Sequence, residues 1–151
     1  MTPREASIKL DNLGLSTEKA PKAAIKRAVT RWRSLTIKDE KTHGLVRTIL
    51  GKYGVSQWPP MVNKLKTIKL GLRYIGGLKL SGLSALQEGG GRTKAHKIKG
   101  AFGHKGTVVH PGGPVPPYPS ASNMVPAVEA YLGEQLDKEV TRAIAKAGLD
   151  K

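Results

Sequence analysis

Residues 87–105 hold Gly89-Gly90-Gly91, then Arg92-Thr93-Lys94-Ala95-His96-Lys97, then Lys99 and Lys105. A glycine-rich loop lets backbone amides approach phosphate oxygens closely, while Arg and Lys beside it supply charge without reading bases. Arg92, Lys94, His96, Lys97, Lys99 and Lys105 are therefore the residues expected to face DNA or an acidic partner. Residues 64–105 carry ten Lys/Arg against one acid, Glu88. Solubility alone does not call for so one-sided a balance. The competing reading is a solvated surface loop.

Other chemistries find less support. Gly71-Leu72-Arg73-Tyr74-Ile75-Gly76-Gly77 has the glycine spacing of a phosphate-binding loop but lacks the Lys-Ser/Thr that must follow. It reads as strand and turn. His43, His96, His104 and His110 are scattered with no Asp or Glu beside them, so no metal site, general base or cofactor is expected. Ser120 and Ser122 lie in a proline-rich stretch with no strand–turn–helix elbow. The sequence predicts no enzyme. Zinc-finger spacing and helix-turn-helix signatures are also missing, and Trp32 falls in an apolar helix stripe. Contact with nucleic acid should then be backbone-directed and strongly salt-dependent.

The charge is unevenly divided. Residues 1–110 contain 22 Lys/Arg and 6 Asp/Glu, whereas residues 111–151 contain 4 and 5. A basic body with a near-neutral tail suggests one surface for a polyanion and one element for protein contacts. The 151 residues are expected to form one domain. With 5% aromatic residues, 18 Gly and 10 Pro, its core should be aliphatic, thin and helped by neighbours in an assembly. There is no cysteine, and no apolar stretch approaches the ~20 residues needed to span a bilayer. The first residues lack the apolar segment of a secretory signal, so an intracellularly made, soluble protein is expected.

These residues must be positioned by local elements. Residues 1–16 read as an N-terminal arm, with a weak strand over 6–10. A helix is expected to begin between Thr17 and Pro21, with Ala24, Ile25, Ala28, Trp32 and Leu35 on one arc and Lys22, Lys26 and Arg33 opposite. Leu45, Val46, Ile49, Leu50 and Tyr53 predict a second helix closed by Gly51 or Gly54, and residues 61–66 a short third. The period then changes to two. Ile68, Leu70, Leu72 and Tyr74 predict a strand, Gly76-Gly77 a hairpin turn, and Leu78, Leu80 and Leu83 a returning strand with a bulge at Gly82. A polar loop should cover residues 87–97, with short strands at 98–102 and 107–110. Five prolines between positions 111 and 119 argue for an extended arm over 111–122 without regular structure. Val125, Val128, Leu132, Leu136, Val140 and Ile144 predict a closing helix over 123–148, ended by Gly148. The class is α+β: N-terminal helices (17–66), a small antiparallel β-meander (67–110), extended loops and a C-terminal helix.

The order of motifs carries a resemblance. Ala23-Ala24-Ile25-Lys26-Arg27-Ala28-Val29 leads to a stretch ending Gly51-Lys52-Tyr53-Gly54-Val55. After the basic meander come Lys99-Gly100-Ala101-Phe102 and Gly103-His104-Lys105-Gly106-Thr107-Val108-Val109. A proline-rich loop then delivers Pro126-Ala127-Val128 into the last helix. Over residues 17–147 this resembles the minor tail protein Z and related tail-completion proteins of tailed bacteriophages.

The resemblance implies a structural virion protein at the head–tail neck, made in the host cytoplasm. It implies a homo-oligomeric ring around the DNA channel, with connector, tail-terminator and tail-tube proteins as neighbours and no membrane. Non-specific contact with double-stranded DNA fits the basic body. Pro114, Pro116, Pro117, Tyr118, Val128, Leu132 and Leu136 would then form the subunit interface. A ribosomal or other basic RNA-binding protein is the alternative, and a nuclease would need a histidine with a carboxylate in reach.

Overall fold

The N-terminal helix opens on a capping box. Thr2 donates its backbone amide to Glu5 Oε2 at 2.7 Å, and the Glu5 amide returns a bond to Thr2 Oγ1 at 3.3 Å. Proline in the first turn and Glu at the third helical position are the residues this geometry favours. These bonds to Thr2 hold the Glu5 carboxyl below its usual range. From there helix α1 runs without interruption over Pro3–Thr42, with Pro21 inside it. The expected N-terminal arm, its strand at 6–10 and a helix start at 17–21 are therefore corrected. Ala6, Leu10, Leu13 and Leu15 are good helix formers once a nucleus exists.

A computed structural model describes residues 2–42, 47–49, 55–57, 60–99 and 106–149. Described strands are β1 (Arg47–Ile49), β2 (Val55–Gln57), β3 (Val62–Lys64), β4 (Ile68–Leu70), β5 (Arg73–Ile75), β6 (Leu78–Leu80), β7 (Gly91–Thr93), β8 (His96–Lys99), β9 (Thr107–His110) and β10 (Gly113–Val115). Helix α2 (Gly82–Gly89) follows β6, and α3 (Ser120–Asn123) and α4 (Val125–Ala147) close the chain. The fold is α+β, as the sequence predicts. Among the described residues the strands form two-stranded ladders rather than one meander.

One compact unit comprises Met1–Trp32, Lys64–Leu78 and Val125–Lys151. Its core is built on small side chains: Ala20, Ala24, Ala28 and Val29 on α1, with Val128, Ala143 and Ala147 on α4. Ala24 and Ala28 belong to the predicted stripe. On α4 the buried face is rotated from the predicted line, taking in Gln135 and leaving Val140 and Ile144 exposed at 42% and 36%. Polar ties link the two helices. Arg27 pairs with Glu139 and reaches Gln135, and Lys9 Nζ donates to the Gly148 carbonyl at 2.8 Å. The end of α4 follows expectation: Gly148 donates to Ala145 O at 2.9 Å and Leu149 to Ile144 O at 3.2 Å, the paired bonds of a Schellman motif.

The β4–β5 hairpin of this unit pairs Ile68 with Ile75, Lys69 with Tyr74 and Leu70 with Arg73, so it turns at Gly71-Leu72. The predicted turn at Gly76-Gly77 is thus displaced. Gly76 serves instead as a close approach to α1: a Cβ there would lie 2.8 Å from both Ile25 Cγ2 and Val29 Cγ2. Lys69 pairs with Glu18, which lowers the Glu18 carboxyl's affinity for protons and raises that of Lys69.

The second unit comprises Arg33–Asn63 and Lys79–Met124. Here β1 and β2 pair antiparallel, Arg47 opposite Gln57 and Ile49 opposite Val55. This replaces the helix expected around residues 45–53. Thr48, Ile49 and Val55 are β-branched and favour the paired strand, and a helix running to Tyr53 would have held Gly51 in its last turn at about 1 kcal/mol. Residues 50–54, with Leu50, Gly51, Tyr53 and Gly54 of that expectation, lie outside the described residues, as do Leu45 and Val46.

The helix predicted over 61–66 is also replaced: Val62, 1% exposed, begins β3. Gly82 opens α2 rather than forming a bulge, and the polar loop expected over 87–97 is the end of α2, then β7 and the start of β8. Strands β8 and β9 pair antiparallel from His96 opposite His110 to Lys99 opposite Thr107. The 107–110 strand stands as predicted, whereas the strand expected at 98–102 is described only over its first two residues.

The proline-rich stretch is not free of regular structure. Strand β10 pairs with β7, Gly113 opposite Thr93 and Val115 opposite Gly91. Proline is tolerated because each strand here is an edge strand, where Pro114 gives up no obligatory ladder bond. Past β10, the Tyr118 amide donates to the Gln87 carbonyl at 2.6 Å.

Candidate polyanion-binding surface

In the first unit, lysines from two distant stretches converge. Lys22, Lys26 and Thr30 succeed one another at i, i+4 and i+8 on α1, so they stand on one helix face. Lys64 closes β3 and Lys66 lies two residues on, in the stretch that leads to β4. Together with Thr67 they line a cleft of about 600 Å3. Lys64 Nζ donates to Thr30 Oγ1 at 3.3 Å, and Thr30 Oγ1 donates to the Lys26 carbonyl at 2.8 Å. Val29, 6% exposed, and Leu65 supply the apolar wall.

Among the described residues no carboxylate lines this cleft. Among the described residues, none of its four lysines takes part in an ion pair, whereas Arg27 and Lys69 of the same unit do. Four cations within one concavity of low-dielectric walls focus a positive potential and favour an anion. Two lysines one helical turn apart repel each other and weaken the helix by a few tenths of a kcal/mol. That repulsion is relieved when an anion sits between them.

The residues predicted to face DNA stand on the second unit. Arg92 is exposed on β7 opposite Pro114, Lys94 is exposed after it, and Lys97 is exposed on β8 opposite Val109. His96 and Lys99 occupy the ends of β8. Lys105 lies outside the described residues, as do residues 100–104 of the motif quoted above. Of the predicted interface residues, Pro114, Pro116 and Pro117 are exposed and Tyr118 is half-buried. Val128 is a correction: at 8% exposure it is buried within its own unit and unavailable to a neighbour. Leu132 and Leu136 are half-buried.

Three acids of the second unit, Asp39, Glu40 and Glu88, accept hydrogen bonds within that unit. Glu88 accepts the Ala121 and Ser122 amides at 2.8 and 2.9 Å, and the Ser122 hydroxyl at 2.5 Å. Asp39 accepts from Ser120 Oγ at 2.6 Å. Glu40, 2% exposed, accepts from Ser84 Oγ at 2.9 Å, while Ser84 Oγ receives the Met61 amide at 3.0 Å. Tyr118 is held above its usual range by burial and by Asp39. Among the described residues no group of three or more His, Cys, Asp or Glu is placed to hold a metal ion.

Burial raises the Glu40 carboxyl's pKa, and the charges of Glu88 and Asp39 add to this against the opposing Ser84 bond. The folded state therefore holds its proton to higher pH than the unfolded chain. Stability falls as pH rises from the ordinary carboxylate range through the folded value, and the deficit persists at pH 7. Glu40→Gln keeps the shape and still accepts from Ser84. We expect it to raise the melting temperature at pH 7 by a few degrees, with the gap closing near pH ~4. Thermal denaturation at the two pH values checks this, and an unchanged or lower value at pH 7 contradicts it.

The signal for the cleft was present but divided. Lys22 and Lys26 stand out as a charged face, and Lys64 and Lys66 as part of the basic run. Only the fold brings them together. No family model, curated protein or solved structure matches the chain.

Proposed function

We propose that the chain is a non-enzymatic structural subunit of a tailed-phage virion, a head–tail neck or tail-completion protein that works in a ring around the DNA channel. The observation that carries this is the convergence of Lys22, Lys26, Lys64 and Lys66 on one cleft, none of them in an ion pair among the described residues. Such a surface suits lasting contact with a polyanion. The motif order quoted above supports the same reading.

Exposed apolar side chains support assembly. On the β4–β5 hairpin Ile68, Leu70 and Ile75 are 47%, 55% and 49% exposed, and Leu72 at the turn is 99% exposed. Contiguous apolar surface of this kind marks protein contacts. The exposed Pro114, Pro116 and Pro117 are further candidates for contact with neighbouring rings.

The experiment is assembly. Purified protein should complement tails that lack it, and labelled protein should appear at the head–tail junction by electron microscopy. Protein that stays monomeric and never associates with tails, tail tubes or connectors overturns the proposal. Co-sedimentation with ribosomal particles instead would favour the RNA-binding alternative.

A further inference from the structure

We infer that the cleft lined by Lys22, Lys26, Lys64 and Lys66 is the seat for a phosphodiester backbone, gripped without regard to base sequence. This deepens the reading above by moving the polyanion contact from residues 92–105 to the first unit. The phosphate chemistry itself does not depend on the protein being a virion component.

The lining argues for backbone rather than bases. Lysine presents a compact point charge with three rotatable donors, suited to phosphate oxygens in several orientations, whereas base-edge recognition favours the rigid fork of Arg or the amides of Asn and Gln. Among the described residues none of those three types lines the cleft, and neither does any aromatic residue on which a base could stack. Thr30 and Thr67 add hydroxyls, groups that commonly contact phosphate oxygens. The volume, about 600 Å3, exceeds what one phosphate fills and leaves room for consecutive phosphates with the sugar between them.

The probe is a fluorescent 30-bp duplex of random sequence, titrated with the full chain by anisotropy over a range of salt. Replacing Lys22, Lys26, Lys64 and Lys66 by Ala should weaken binding by roughly 30-fold or more at low salt. The slope of log K against log salt should flatten by about 3–4, since each phosphate contact contributes about 0.9. A charge-matched variant with Lys79→Ala, Arg92→Ala, Lys94→Ala and Lys97→Ala should lose less than about fivefold and keep most of the slope. Circular dichroism confirms that both variants fold, and the single reversal Lys64→Glu provides a second, milder lesion expected to act in the same direction.

Equal loss in the two quadruple variants overturns the inference, because net charge would then explain binding. Competition by polyglutamate as strong as by DNA of equal charge overturns it in favour of an acidic protein. Tight binding of tripolyphosphate with no binding of duplex overturns it in favour of a free phosphate ligand. Duplex binding lost in the cleft variant, by a protein that never joins tails, sustains the cleft and removes only the virion reading.

Discussion

Gly112→Ala is expected to destabilise the protein by about 3 kcal/mol or more. Gly112 has φ of 75°, a left-handed conformation that costs an L-residue roughly 1–2 kcal/mol. The added Cβ would also overlap the Thr93 carbonyl oxygen and approach Lys94 C to 2.9 Å and Ala95 N to 3.0 Å. All three are backbone atoms, so no rotamer change relieves the clash; the chain itself must move. The segment that would yield is the β7–β10 ladder, where the Gly113 amide donates to Thr93 Oγ1 at 2.9 Å and Thr93 Oγ1 donates to the Gly113 carbonyl at 3.2 Å. Urea denaturation reads the effect. Gly133→Ala, in α4 with open space around it, is the contrast and should stabilise by about 0.5–1 kcal/mol. Equal, small effects at both positions would show that the turn at Gly112 is not held as described.

Pro21→Ala is expected to stabilise the protein by about 1–3 kcal/mol. Within α1 this proline cannot donate to the Thr17 carbonyl, and its ring crowds that same group. Thr17 Oγ1 already turns back to the Leu13 carbonyl at 2.8 Å and to Gly14 O at 3.1 Å, a side-chain bond that does nothing for the missing donor. Pro21 is half-buried between Ala20 and Ala24, at 4% and 0% exposure, so alanine fits without a large cavity. The melting temperature and the helical signal at 222 nm should both rise. A fall in stability would mean that the proline ring is needed where it stands. A helix starting at Pro21 instead would make the substitution nearly neutral, because a first-turn proline sacrifices no bond.

Pro21 also shows why part of the helical reading failed. Proline in a first turn and proline in a helix interior have the same local sequence, and Ser16 and Thr17 look like caps. Thr2-Pro3-Arg4-Glu5 is the stronger start, and it was legible. The failures at 45–53 and 61–66 have a different cause. Short apolar runs satisfy both periods, and the choice is made by whether a partner strand is at hand. β1 has β2, and β3 has β6. Gly76-Gly77 matches a hairpin turn, but Gly76 is needed for clearance over Ile25 and Val29, which no local pattern reveals.

The candidate site divides in the same way. Lysine spacing on α1 is local and predicts which of its side chains share a face, and the nearness of Lys64 to Lys66 in the chain is local too. Whether the two pairs meet depends on chain segments more than thirty residues apart, and so does the placement of the acids. Asp39, Glu40 and Glu88 look like ordinary surface charges in sequence. In the fold they accept hydrogen bonds from Ser120, Ser84, Ser122 and two backbone amides, which fixes where these carboxylates stand.

By itself the sequence determined the partition of charge, the α+β class, the closing helix with its glycine stop and the strand at 107–110, because each follows from residue type and spacing within one or two turns of chain. The tertiary structure decided which strands pair, where the proline-rich stretch is fastened and which four lysines share a cleft. Those outcomes depend on the burial of small-residue faces and the satisfaction of backbone donors between distant segments, and such long-range pairing leaves no periodic trace in the chain.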